Sequence, residues 1–131
     1  MAYLQNPSYN LDDFIDACRI AEKVYFLPGV LDDARDFDLL TKEDVFIFLS
    51  DFKKLQYEFV NTKDWENNPN PAVPRKVDGY EFFSKCKRGY LAFILFRERG
   101  TWLVKSLHIS DNTFSDFTYA FGKGKLPGGK R

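Results

Sequence analysis

The stretch that begins at Asp78 and closes on His108 and Ile109 constrains the fold more than any other part of the chain. It reads DGYEFFSKCKRGYLAFILFRERGTWLVKSLHI. Two apolar runs, Tyr90 to Arg97 and Thr101 to Ile109, flank a short polar break made of Arg97, Glu98, Arg99 and Gly100. Aromatic and β-branched residues on either side of a glycine-containing break predict a hairpin. Side chains alternate along a strand, so Trp102, Val104, Ser106 and His108 are expected on one face and Leu103, Lys105, Leu107 and Ile109 on the other. The first run is apolar on both faces, which predicts a central strand covered by helices on at least one side. A weaker run, Tyr80 to Lys87, precedes it across an expected turn at Lys87, Arg88 and Gly89. The core is therefore expected to be a three-stranded antiparallel meander.

Helical patterns precede this sheet. Asn10 reads as an N-cap with Asp13 three residues on, and Leu11, Phe14, Ile15, Cys18, Ala21 and Tyr25 recur at helical spacing, predicting a helix to about Lys23. Pro28 and Gly29 stop it. Leu31 to Leu40 reads as a short, acidic helical turn. Thr41 with Asp44 approximates a capping box and places negative charge in the first turn of the strongest helix. Its apolar face is expected to run Val45, Phe48, Leu49, Phe52, Leu55, Phe59. Asn61 to Pro74, rich in Asn and Pro, reads as a long loop. Thr113 to Phe121 suggests a final helix or extended segment, and Gly122 to Arg131 a flexible, basic, Gly-rich tail. The expected fold class is α+β: a small antiparallel β-sheet of three or more strands packed against two or three N-terminal helices. Residues 1–121 would form one domain and residues 122–131 the tail.

Charge says more by distribution than by total. Nineteen basic residues balance nineteen acidic ones, yet the acids crowd the helical half and the bases the sheet half from Arg75 onward. Such a basic side could track a phosphate backbone. The 18% aromatic share serves core packing first and base stacking or partner anchoring second. Cys18 and Cys86 lie far apart and outside any metal-ligand spacing, so no metal and no cofactor is expected. No run approaches the ~20 apolar residues of a membrane span, and the N-terminus lacks signal-peptide character; a cytoplasmic protein with no membrane partner is expected.

Phosphate-binding glycine loops, paired-His motifs and nucleophile elbows are missing from the sequence. What remains is a constellation on the expected hairpin. Tyr90 begins one strand and His108 ends its antiparallel neighbour, so the two should meet in space, with Lys85, Lys87, Arg88 and Lys105 nearby. Metal-free cleavage of RNA needs a base for the 2′-hydroxyl, an acid for the leaving oxygen, and cations for the charge that develops on phosphate. Histidine suits the proton transfers and lysine or arginine the charge, while tyrosine can hydrogen-bond phosphate. Two other readings stay open: a protein-binding inhibitor or immunity-type protein that acts through its acidic helices or aromatic sheet, and a nucleic-acid-binding module without chemistry.

The order of elements resembles the MqsR-type toxins of bacterial toxin-antitoxin pairs, members of the broader RelE-like ribonuclease fold. The likeness is carried by Ala34 to Val45 (ARDFDLLTKEDV) before the main helix, by Leu49 to Phe52 after it, and by Asp78, Gly79 and Tyr80, similar to the family's Asp-Val-Tyr. Tyr90 follows Tyr80 at the family's interval of ten, and Ser106, Leu107 and His108 are similar to its closing strand. Val77 stands where the family has a glutamine. The resemblance implies an mRNA endoribonuclease that needs no metal and is silenced by an antitoxin. His108, Tyr90 and Lys105 would form the catalytic set. Lys85, Lys87 and Arg88 would bind RNA, joined by Lys54, which in one register falls on the family's lysine after the main helix.

Overall fold

The computed structural model describes residues 5–110, so the segment expected over Thr113–Phe121 and the tail expected over Gly122–Arg131 lie outside the described residues. Three α-helices, α1 (Leu11–Ala17), α2 (Val30–Ala34) and α3 (Lys42–Ser50), are found among the described residues, with 3-10 turns at Ala21–Lys23, Arg35–Phe37 and Phe52–Lys54. The strands are β1 (Val24–Phe26), β2 (Gln56–Asp64), β3 (Lys76–Ser84), β4 (Lys87–Phe96) and β5 (Thr101–Ile109). They form one sheet in the order β1-β5-β4-β3-β2. The fold is α+β, with the expected meander of β3, β4 and β5 at its centre and β4 as the middle strand. The sheet is mixed rather than wholly antiparallel, because β1 pairs parallel to β5.

Both expected caps form. The Asn10 side chain accepts from the backbone N–H groups of Asp12 and Asp13, and Thr41 and Asp44 complete a reciprocal capping box. Each satisfies donors that the first helical turn leaves without partners. The helices cover one face of the sheet. Phe14 of α1 stacks on Phe93 of β4 with ring centroids 4.0 Å apart, and Phe37, Leu49 and Phe52 join Phe82, Leu91 and Leu107 in the same buried cluster. A second, smaller cluster of Trp65, Val77, Ala92 and Ile94 lies on the opposite face, with Tyr90, Phe96 and Leu103 against it. This opposite face is called the second face below.

Four expectations are corrected. Helix α1 stops at Ala17 rather than near Lys23, and Val24–Phe26 is extended, because the edge of β5 offers parallel pairing to Val24, Tyr25 and Phe26. Helix α3 stops at Ser50 rather than running to Phe59: Asp51 leaves helical geometry at ψ 15°, a 3-10 turn follows, and Gln56–Asp64 pairs with β3. Tyr57 and Phe59 then face the helical cluster by strand alternation rather than helical spacing. The loop shortens accordingly to Trp65–Arg75, closed where the Trp65 N–H donates to the Arg75 carbonyl at 2.9 Å. Finally, the β3–β4 turn is Lys85–Cys86, not Lys87–Gly89, since Ser84 already pairs with Lys87. Both turn residues sit at positive φ, 55° and 61°, the twist a two-residue hairpin favours.

Two buried features hold the termini of the described chain to this sheet. The Asp78 carboxylate is wholly buried and accepts the backbone N–H groups of Ser8 and Tyr9 at 3.1 and 2.9 Å. At the other end, Ser110 donates its N–H to the Arg88 carbonyl at 2.9 Å and its hydroxyl to Glu81 at 2.8 Å.

Candidate functional site on the second sheet face

Strand register assembles a row of chemically active side chains across four strands. Glu58 of β2 stands opposite Glu81 of β3, Glu81 opposite Tyr90 of β4, and Tyr90 opposite His108 of β5. All four point to the second face, because their chain neighbours Tyr57, Phe59, Tyr80, Phe82, Leu91 and Leu107 face the helices. The expected meeting of Tyr90 and His108 is present, with ring centroids 5.7 Å apart.

A bulge puts His108 there. Ala92 pairs with Ser106 and Phe93 with Val104, leaving Lys105 as an extra residue in β5. An extra residue reverses the alternation beyond it. Trp102, Val104 and Leu107 therefore share the helical face, while Leu103 lies on the second face with Ser106 and His108. The simple alternation expected from the sequence, with Trp102, Val104 and His108 together, does not hold.

Three members of the row are oriented by their surroundings. The His108 Nδ1 lies 2.8 Å from the Ile109 carbonyl oxygen. A carbonyl only accepts, so Nδ1 carries the proton and Nε2 is the atom left for acid or base work. The Tyr90 ring lies across Gly79: a Cβ at Gly79 would stand 2.2 Å from the Tyr90 hydroxyl. Burial, and then the charge of Glu81, push the Tyr90 phenol above its ordinary pKa, so it remains a proton-bearing donor at neutral pH. Glu81 is only 2% exposed; its Oε2 accepts from Ser110, and its Oε1 has no hydrogen-bond partner among the described residues.

The expected RNA-binding residues are divided by the fold. Arg88 stands on the second face two residues before Tyr90. Lys87 points the other way and donates to the Asp36 carbonyl, and Lys85 lies 3.8 Å from the Asp38 carboxylate. These two lysines are thus turned toward the acidic turn after α2. Lys105 lines a small cavity with Trp65, Val77 and Glu66, along the strand from His108 rather than beside it. Lys54 lies beyond α3, 3.6 Å from Asp51, in a pocket shared with Asp12 and Asp16 of α1 and with Arg19. Of the seven residues expected at the site, the structure places Tyr90, His108, Arg88 and Lys105 on the second face, with Lys105 farther along its strand from the pair, and sets Lys54, Lys85 and Lys87 elsewhere.

Glu58, Glu81 and Gly79 are the members that sequence reasoning missed. Glu81 was within reach: once Ser84 is paired with Lys87, strict register places Glu81 opposite Tyr90. Glu58 required β2, which the helical reading of that segment concealed. Among the described residues no group of three or more His, Cys, Asp or Glu could hold a metal ion, and no helix is long and apolar enough to cross a membrane. Compared with known proteins, the chain matches no family model, and no curated protein or solved structure matches it at a significant level.

Proposed function

We propose that this protein is a metal-independent RNA endonuclease, the toxin of a toxin-antitoxin pair, with its catalytic centre at Tyr90 and His108. The single observation that carries the reading is the direct cross-strand pairing of these two residues with Nδ1 of His108 committed to a carbonyl. On this reading Nε2 takes the proton of a ribose 2′-hydroxyl, whose oxygen attacks the adjacent phosphorus. The bond to the 5′-oxygen breaks and that oxygen takes a proton from water, leaving a 2′,3′-cyclic phosphate and a 5′-hydroxyl. Tyr90 donates to a non-bridging oxygen as charge builds there, and Arg88 adds positive charge on the same face. The toxin role and the RelE-like fold rest on the resemblance carried by Asp78, Tyr80, Tyr90 and His108.

Incubation of the purified protein with mixed RNA in a chelator tests this. Cleavage is expected, with losses of about 100-fold or more in His108→Ala and Tyr90→Phe; RNA left intact by the folded wild-type chain overturns the reading. A different observation favours the second reading, an inhibitor or immunity-type protein. Tyr25, Leu40 and Ile47 are 52%, 59% and 61% exposed, apolar surface of the kind a protein partner covers. On the first reading the same side chains are candidates for the antitoxin contact.

A further inference from the structure

Beyond the row described above, the far end of the β4–β5 hairpin gathers cations around two aromatic rings. Three separate segments meet there: Tyr9 from the N-terminal stretch, Arg75 and Lys76 at the start of β3, and the turn Arg97–Gly100. They surround a cavity of about 240 Å³ lined by Tyr9, Arg75, Lys76, Leu95, Arg97 and Glu98. The turn is closed by the N–H groups of Arg99 and Gly100, which donate to the Phe96 carbonyl at 3.0 and 2.9 Å. The Tyr9 ring is fixed by its hydroxyl, 2.7 Å from the Lys76 carbonyl.

Each guanidinium group lies against an aromatic ring. Arg97 lies over the Tyr9 ring, 5.8 Å from its centroid, while Arg75 and Arg99 lie 4.1 and 5.5 Å from the centroid of Phe96. A cation–π contact positions such a group without using its N–H donors. The one carboxylate of the turn, Glu98, is bonded to Arg75, and Lys76 is paired with Asp64 at 2.9 Å. Among the described residues neither Arg97 nor Arg99 forms an ion pair with a carboxylate.

We infer that this cavity is a phosphate-binding subsite for an RNA strand, with Arg97 as its principal contact. A phosphodiester matches the fork of a guanidinium, which offers it two parallel hydrogen bonds, and Arg97, which lines the cavity and has no carboxylate ion-pair partner among the described residues, supplies the charge. The site lies seven residues along the chain from Tyr90, a span of about 23 Å at ~3.3 Å per residue, and on the helical side of the sheet with Tyr9 and Leu95, so a strand cut on the second face would pass round the end of the β4–β5 hairpin to reach it. It would hold the strand away from the cleavage point and add affinity without sequence preference. The inference rests on RNA being the ligand, as the proposed function has it.

Binding of a 2′-O-methylated single-stranded RNA, which cannot be cut through its 2′-oxygen, separates the two ideas. Fluorescence anisotropy across a salt series is expected to show Arg97→Ala binding about tenfold more weakly at low salt. The slope of log affinity against log salt should fall by about 0.7, the value of one phosphate contact on a single strand. Arg97→Lys should retain the slope and recover part of the affinity. Arg97 is exposed on a turn, so neither variant is expected to unfold. An unchanged affinity and slope in Arg97→Ala overturns the subsite even if the wild-type protein cuts RNA, and so does a wild-type chain that binds no RNA. A weakened Arg97→Ala in a protein that does not cut RNA upholds the subsite and removes the nuclease.

Discussion

The hydroxyl of Tyr90 occupies the space into which a side chain at Gly79 would project. A Cβ at Gly79 would lie 2.2, 2.8 and 2.9 Å from Oη, Cζ and Cε1 of that ring, so a catalytic candidate on β4 takes its position from an absent side chain on β3. Gly79→Ala is expected to move the ring and to lower the free energy of unfolding by about 1–3 kcal/mol, the usual cost of overpacking. Because the conflict is with Tyr90 itself, the cost should be much smaller in a Tyr90→Ala background. Urea unfolding of the four proteins of this cycle checks it; equal costs in both backgrounds would place the strain elsewhere.

The Lys85–Cys86 turn offers a second test. Both residues hold a left-handed conformation that an L side chain adopts only at a cost. Lys85→Asn combined with Cys86→Gly supplies the residues such a turn favours. Stability is expected to rise by about 1 kcal/mol after the larger chain entropy of glycine is set against the relieved strain. A destabilised double variant in urea would show that the Lys85–Asp38 contact outweighs the backbone.

Glu98 gives a pH signature. The Arg75 side chain, which donates to it, lowers its pKa to about 2 from an ordinary 4.5. A carboxylate whose folded pKa is depressed contributes stability that is full above the unfolded pKa and lost as pH falls through the folded one. The contribution should therefore fade between about pH 4.5 and pH 2. It will be small, because the carboxylate is open to solvent. Thermal unfolding of Glu98→Gln is expected to depend less on pH than wild type in that window and to match its slope above it.

The extent to which the sequence revealed this arrangement varied by element. The strands flanking Arg97–Gly100 and the caps at Asn10 and Thr41 were legible, since each rests on local chemistry: β-formers around a break, and side-chain acceptors for free N–H groups. The segment Gln56–Asp64 was not. Val45, Leu49 and Phe52 continue at helical spacing into Phe59, and only the paired edge of β3 decides that Tyr57 and Phe59 belong to a strand. The bulge at Lys105 is equally non-local, since nothing in Val104–Lys105–Ser106 announces that Ala92 will pair with Ser106. Gly89 misled for a related reason. It resembles a turn glycine, yet it lies within β4, where a Cβ would come 2.2 Å from Cζ of Phe82.

For the site, residue types and adjacency were readable but direction was not. Tyr90 and His108 met because antiparallel strands bring a beginning beside an end. Lys85, Lys87 and Arg88 are neighbours in sequence, yet a tight turn followed by strand alternation sends Lys87 to the helical side and Arg88 to the second face. The apparent basic cluster thus divides between an acidic turn and the candidate site.

Cleavage of a short defined RNA in the presence of a chelator, with identification of the ends produced, tests the central claim most directly. The account predicts a 2′,3′-cyclic phosphate and a 5′-hydroxyl, loss of cutting when the 2′-hydroxyl at the scissile position is replaced by hydrogen, and loss of cutting by folded His108→Ala. Intact RNA, or equal cleavage by that variant, would contradict it.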